Sequence, residues 1–137
     1  MISTKGRYAL RLLADLAEHG GACIPLKDIS ERQEVSLKYA ERLMTILTKA
    51  GFVESQHGRS GGYRLGRAAS DCRVGDVLRA VGEELAPVAC LAQDSTPCSR
   101  ASGCRTLPMW RKLDRMINDF FDGITIADLL RFITSEF

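Results

Sequence analysis

Residues 26–51, LKDISERQEVSLKYAERLMTILTKAG, constrain the fold more than any other stretch of this chain. Leu26 and Ile29 give the first segment an inward face, and Glu34-Val35 makes a tight corner before a second helix opens. Ser36 supplies an oxygen-bearing N-cap for that helix, and Gly51 stands where a left-handed C-cap is wanted. Leu37, Ala40, Leu43, Met44 and Leu47 form its apolar face, which leaves Lys38, Tyr39, Glu41, Arg42 and Thr45 on the free face. Two helices joined by so short a corner, the second with a charged outer face, predict a helix-turn-helix.

The flanking segments extend this unit. Tyr8, Leu12, Leu13, Leu16 and Ala17 share one stripe of a helix from about Thr4 to His19, with Ser3 or Thr4 as its cap and Gly20-Gly21 as its stop. After Gly51, the strand-like FVES, the turn HGRSGG and the returning YRLG spell a β-hairpin. A hairpin that follows such a helix is the wing of a winged-helix domain, and here it carries Arg59 and Arg64. The expected fold is mainly α with a small β-hairpin wing. Charge agrees with a polyanion-binding first half: residues 1–70 hold 11 Lys and Arg against 7 Asp and Glu, residues 71–137 hold 8 against 10. Glycine-rich hairpins and short-turn helix pairs also occur in proteins that bind no nucleic acid, so it is their order that favours DNA.

Val74, Val77, Leu78 and Val81 predict a further short helix. From Pro108, the run PMWRKLDRMINDFFDG places Trp110, Leu113, Met116, Ile117, Phe120 and Phe121 at spacings of three and four. That apolar load exceeds what a small domain needs to cover itself, so the helix is expected to pair with a second copy; folding back onto its own core is the competing arrangement. Thr125 and Asp128 form a capping-box variant ahead of a last helix, TIADLLRFI. The expected organisation is a winged helix-turn-helix domain at 1–82, a cysteine-containing sensor loop at 83–107, and a dimerisation helix with a C-terminal helix at 108–137.

Three of the five cysteines, Cys90, Cys98 and Cys104, lie in CLAQDSTPCSRASGC, a polar segment with no core to fill. No apolar run approaches the ~20 residues of a membrane span, and the N-terminus lacks a signal-peptide core, so a cytoplasmic address and no membrane partner are expected. Thiols stay reduced there, which weakens a disulfide reading. Three thiolates in a loop suit an iron–sulfur cluster, [2Fe–2S] or [4Fe–4S]. Zinc usually takes cysteines two to four residues apart, unlike this spacing. A thiol switch is a further alternative, with Arg100 and Arg105 as supporting cations. Cys23 and Cys72 read as ordinary small residues. There is no phosphate loop after a strand and no nucleophile–base–acid set, so an enzyme is not expected.

STKGRYAL, SLKYAERL, LTKAGFVES, GGYRL and VGDVLRAV, taken together and in this order, resemble the Rrf2 family of bacterial transcription regulators, over about Ile2 to Leu130. The resemblance implies winged-helix homodimers, paired through the long C-terminal helix, on palindromic double-stranded DNA operators. It implies a cluster on Cys90, Cys98 and Cys104, sensing iron–sulfur status, redox or nitric oxide. Glu41 matches a base-reading glutamate, able to accept from cytosine N4; Arg42 stands where cluster-binding members have Gln. Ser36, Lys38 and Tyr39 match phosphate-positioning groups. In the wing, His57-Gly58-Arg59-Ser60 stands where the relatives have Arg-Gly-Pro-Gly, so His57 takes the usual place of the minor-groove arginine and Arg59, two residues on, becomes its candidate substitute. The fourth cluster ligand does not carry over, because Leu107 stands where a histidine is found and Arg7 where an aspartate is. Asp94, an exogenous thiol or water, or Cys72 remain. An alternative function is a metal- or thiol-switch interaction protein acting through a protein partner.

Overall fold

A computed structural model describes residues 2–96 and 98–131. In chain order the helices are α1 (Thr4–Glu18), α2 (Leu26–Gln33) and α3 (Leu37–Lys49). Strands β1 (Val53–Gln56) and β2 (Gly62–Leu65) follow, then α4 (Val74–Ala80), α5 (Leu107–Asp122) and α6 (Ile126–Arg131). The fold is therefore mainly helical with one two-stranded antiparallel hairpin, in which Val53 faces Leu65 and Gln56 faces Gly62. Of the predicted last helix, Phe132 and Ile133 lie outside the described residues.

The corner between α2 and α3 turns on Glu34, a non-glycine residue in the left-handed region at φ 54. Buried Val35 follows and its N–H donates to the Ser30 carbonyl at 3.1 Å. Ser36 then caps α3 as expected, its hydroxyl accepting the Tyr39 N–H at 3.2 Å. Ala50 closes the helix and Gly51, at φ +84, takes the left-handed position after it. One core collects Leu12, Leu13 and Leu16 of α1, Ile29 of α2, Ala40, Leu43, Met44 and Leu47 of α3, and Ile126 of α6. Leu37 departs from the expected apolar face. It is 46% exposed, because the core ends one turn short of it.

A buried carboxylate fixes the angle of α2. Asp15, 1% exposed on α1, accepts from Arg32 Nη2 at 2.7 Å, from Arg32 Nε at 3.0 Å and from Gln33 Nε2 at 2.9 Å. Burial pushes its pKa up, but the Arg32 and Gln33 hydrogen bonds outweigh that and hold it below the ordinary carboxylate value.

The N-terminus of α1 is capped from outside, contrary to the expectation of a Ser3 or Thr4 cap. Glu83, just past α4, accepts the N–H of Ser3 and of Gly6, each at 3.0 Å, together with the Ser3 hydroxyl. Burial raises the Glu83 pKa, and the Ser3 and Gly6 hydrogen bonds more than reverse the shift. At the other end of the chain, Thr125 N–H donates to Asp128 at 2.9 Å and Asp128 N–H to Thr125 at 3.1 Å, the predicted capping box. The same bond to the Thr125 N–H, foremost, lowers Asp128. Carboxylates lowered by folding contribute stability above their ordinary values of 3.8 to 4.5, and that contribution is lost as pH falls through the lower folded values. The urea midpoint should therefore be flat from neutrality to about pH 5 and drop steeply below about pH 4. Asp15→Asn and Glu83→Gln should each flatten that drop, and an unchanged acid limb in both variants would contradict the assignment.

Helix α5 folds only part of its apolar face back onto its own chain: Ile117 and Phe121 pack against a second cluster of Val74, Leu78 and Leu85. Leu107 is its one buried residue, while Met109, Leu113, Met116 and Phe120 are exposed. Its C-terminal end is clamped to α4: Arg79 donates to Asp122 Oδ1 at 2.9 Å and Oδ2 at 3.1 Å, and to Asn118 at 2.7 Å. Gly75 makes room for this, since a Cβ there would lie 1.9 Å from Asp122 Oδ1.

Candidate functional site

The first candidate surface is the groove between α3 and the hairpin. Leu37, Glu41 and Thr45, at four-residue steps, line one wall, and Gln56 and His57 of the wing line the other. Lys27 stands at its edge, and the groove encloses about 600 Å³ of open space. The wing keeps its distance from α3 through a second attachment. Tyr63 and Ile24 exchange backbone hydrogen bonds at 2.8 and 2.9 Å, so β2 is held to the chain entering α2. Gly62, at φ +151, permits this, because a Cβ there would stand 2.2 Å from the Ile24 carbonyl oxygen.

Ser36, Lys38, Tyr39 and Arg42 line a smaller hollow around the start of α3. Tyr39 is positioned by an edge-to-face contact with Tyr8 at 5.9 Å, and the Arg11 guanidinium lies 4.9 Å from the Tyr8 ring. Arg59 and Ser60 are exposed at the tip of the wing and line neither hollow. The structure thus brings Glu41 and His57 to one groove, groups Ser36, Lys38, Tyr39 and Arg42 beside it, and leaves Arg59 and Ser60 at the wing tip. Sequence reasoning missed Gln56 and Lys27, which carry no periodic signal and come to the groove from β1 and α2 through the tertiary fold.

The second candidate surface is the segment between α4 and α5. Cys90 and Cys98 are exposed, Cys104 is half-buried, and all are free thiols. The segment is organised by short helical turns at Ala89–Leu91 and Ala101–Gly103 and by backbone bonds to Glu84. That carboxylate accepts the N–H of Ala86 at 3.0 Å and of Gln93 at 3.2 Å. Cys104 sits just ahead of α5, with its sulfur 3.4 Å from the Thr106 hydroxyl. That contact, with the Thr106 and Leu107 backbone N–H groups next, lowers the thiol below its ordinary value, and the Arg100 charge adds to it. Among the described residues no three of the Cys, His, Asp and Glu side chains are already gathered as a metal cage. The donor chemistry nevertheless fits a cluster: three accessible thiols on a polar segment, one of them already biased toward thiolate.

Cys72 drops out as a fourth ligand. It is fully buried in the main core, its S–H donates to the Ala68 carbonyl at 3.5 Å, and burial pushes its thiol up. Asp94 is exposed at φ 64 within the segment. Cys23 donates to Gln56 Oε1 at 3.0 Å, beside the wing.

A family model described as "Rrf2: Iron-dependent Transcriptional regulator" matches residues 2–131. The chain belongs to the Rrf2 family. It is 42% identical over 131 residues to the HTH-type transcriptional regulator IscR of Vibrio atlanticus, covering 95% of this chain and 75% of that protein. Among solved structures, T. potens IscR superposes with a TM-score of 0.74 at 37% identity, covering 96% of this chain and 86% of that one. CymR, the global cysteine regulator of B. subtilis, superposes with 0.78 at 33% identity, covering 96% and 97%. These Rrf2 relatives are transcriptional regulators, not enzymes. As in them, the helix-turn-helix and wing of this Rrf2 chain form a winged-helix regulator fold, and no helix among its described residues is long and apolar enough to cross a membrane.

Proposed function

We propose that this chain is an Rrf2-type transcriptional regulator that binds a palindromic double-stranded DNA operator as a homodimer and senses iron–sulfur status, redox or nitric oxide through Cys90, Cys98 and Cys104. The observation that carries the DNA reading is the groove: an exposed carboxylate on α3 faces the wing, with Lys38 and Arg42 beside it. Glu41 would read a base edge, Ser36, Lys38 and Tyr39 would hold phosphates, and Arg59 at the wing tip would reach the minor groove. The boundaries at 82 and 107 then separate DNA contact, sensing and pairing.

The donor set supports the sensor. Cys90, Cys98 and Cys104 would hold the cluster, which when bound supplies iron that small oxidants and nitric oxide attack. The chain's own residues link that segment to the rest. Glu84 holds it by two backbone N–H groups, and the adjacent Glu83 caps α1. At its far end Cys104 leads through Thr106 into α5.

Protein purified without oxygen should be coloured and contain iron and sulfide. Cys98→Ser should lose most of both without losing fold, since Cys98 is exposed. Operator affinity should differ between the loaded and the stripped protein. A colourless, iron-free anaerobic product would reject the cluster and transfer the sensing role to Cys104 as a redox thiol.

A further inference from the structure

Leu37 is the residue of the expected apolar face that the core does not take up. Ala40, Met44 and Leu47 are fully buried and Leu43 nearly so, whereas Leu37 is 46% exposed on the first turn of α3. It stands between exposed Ser36 and Lys38 and lines the groove wall with Glu41 and Thr45. A single exposed leucine needs no explanation by itself. This one occupies the N-terminal turn of the second helix of a helix-turn-helix, the part that meets base edges when such a helix enters the major groove.

Leucine offers neither donor nor acceptor, and placed against most base-edge groups it would leave them unpaired. The major-groove edge presents one apolar feature, the C5-methyl of thymine. The neighbouring groups narrow the assignment further. The Thr45 hydroxyl donates its proton to the Glu41 carbonyl at 2.9 Å, which leaves it only as an acceptor, one turn beyond Glu41 on the far side from Leu37. The stripe therefore presents one carboxylate, Glu41, with apolar surface on the N-terminal side of it.

We infer that Leu37 is a specificity-determining residue that reads a thymine methyl in each operator half-site, next to the base read by Glu41. The inference rests on the DNA-binding function proposed above, and adds to it which base group this position selects.

The test begins with the full chain and a randomised duplex pool, from which the preferred operator is selected. Each thymine of that operator is then replaced singly by deoxyuridine, which lacks only the methyl group. Wild-type protein should show one symmetry-related pair of sensitive thymines. Burial of a methyl group corresponds to about a fourfold loss per half-site, or about fifteenfold with both replaced. Leu37→Ala should bind the thymine and deoxyuridine operators equally. Leu37→Gln, which keeps length and helix propensity, should do the same, and reselection with it should change the preferred base at that pair alone. Absence of any sensitive thymine for wild type, or undiminished sensitivity in both variants, would overturn the inference while leaving DNA binding intact. Failure of wild type to enrich any sequence would instead overturn the DNA-binding function, and the inference with it.

Discussion

Met116→Asp combined with Phe120→Asp is expected to give a folded monomer whose operator affinity is lower by about two to four orders of magnitude. Four of the five large hydrophobic side chains exposed among the described residues lie on α5: Met109, Leu113, Met116 and Phe120. Their spacing of four, three and four is the heptad seam through which two helices pair. Met116 and Phe120 are 58% and 55% exposed, so neither supports the fold of a single chain. Charge on that seam opposes a second copy by desolvation and like-charge repulsion. Two half-sites engaged by one dimer gain from high effective concentration, and a monomer forfeits that gain. Sedimentation and fluorescence anisotropy on the same samples give both readouts. A variant that stays dimeric, or a monomer with undiminished affinity, would show that α5 is not the pairing helix.

Asp15→Ala should be the most damaging single substitution among the polar residues, lowering stability by about 3 kcal/mol and the melting temperature by about 10 °C. The carboxylate accepts three hydrogen bonds from the last turn of α2, two of them from one guanidinium. Their loss removes charge-assisted bonds at a site 1% exposed and leaves the Gln33 amide without this acceptor. Arg32 can turn to solvent, since its side chain is 40% exposed, and this keeps the cost below that of stranding a buried charge. Because α2 sets the angle at which α3 leaves the Glu34 corner, the variant should also weaken operator binding at temperatures where it is still folded. Asp15→Asn retains an acceptor and should lose about half as much. Thermal melts of the three proteins decide this, and a loss under about 1 kcal/mol for Asp15→Ala would assign the network to the surface rather than the core.

Much of the DNA-facing half was legible in the sequence because its signals are local. Ser36, Gly51 and the Thr125–Asp128 pair announce helix ends within a few residues, and the structure uses each as expected. The stripe of α1 was legible for the same reason. What escaped were features set by distant partners. The cap of α1 comes from Glu83, nearly eighty residues away, so Ser3 looked sufficient by itself. Leu37 matched the period of the core face, yet periodicity cannot say where the opposing helices end. Cys72 was read as an ordinary small residue and is buried in the core, which removes it from the candidates for a fourth ligand. Cys90, Cys98 and Cys104 stood out by their clustering in one polar segment; their arrangement did not, since a segment of turns carries no period.

The two ends of α5 are held very differently. At the C-terminal end Asp122 and Asn118 are clamped to Arg79, and α6 returns to pack on α1, placing Ile126 in the main core. At the N-terminal end Leu107 is buried and Trp110 half-buried, and the cysteine segment leads directly into the helix. A rod fastened at one end behaves as a lever with its fulcrum at the clamp. With 16 residues the arm is about 24 Å long, so a tilt of about 5° displaces the cysteine end by about 2 Å. Read in reverse, a shift of that size where Cys104 meets the helix becomes a small rotation at the fulcrum. In the homodimer proposed above, two such levers pressed together along Met109, Leu113, Met116 and Phe120 would convert that rotation into a change in the separation of the two copies of α3.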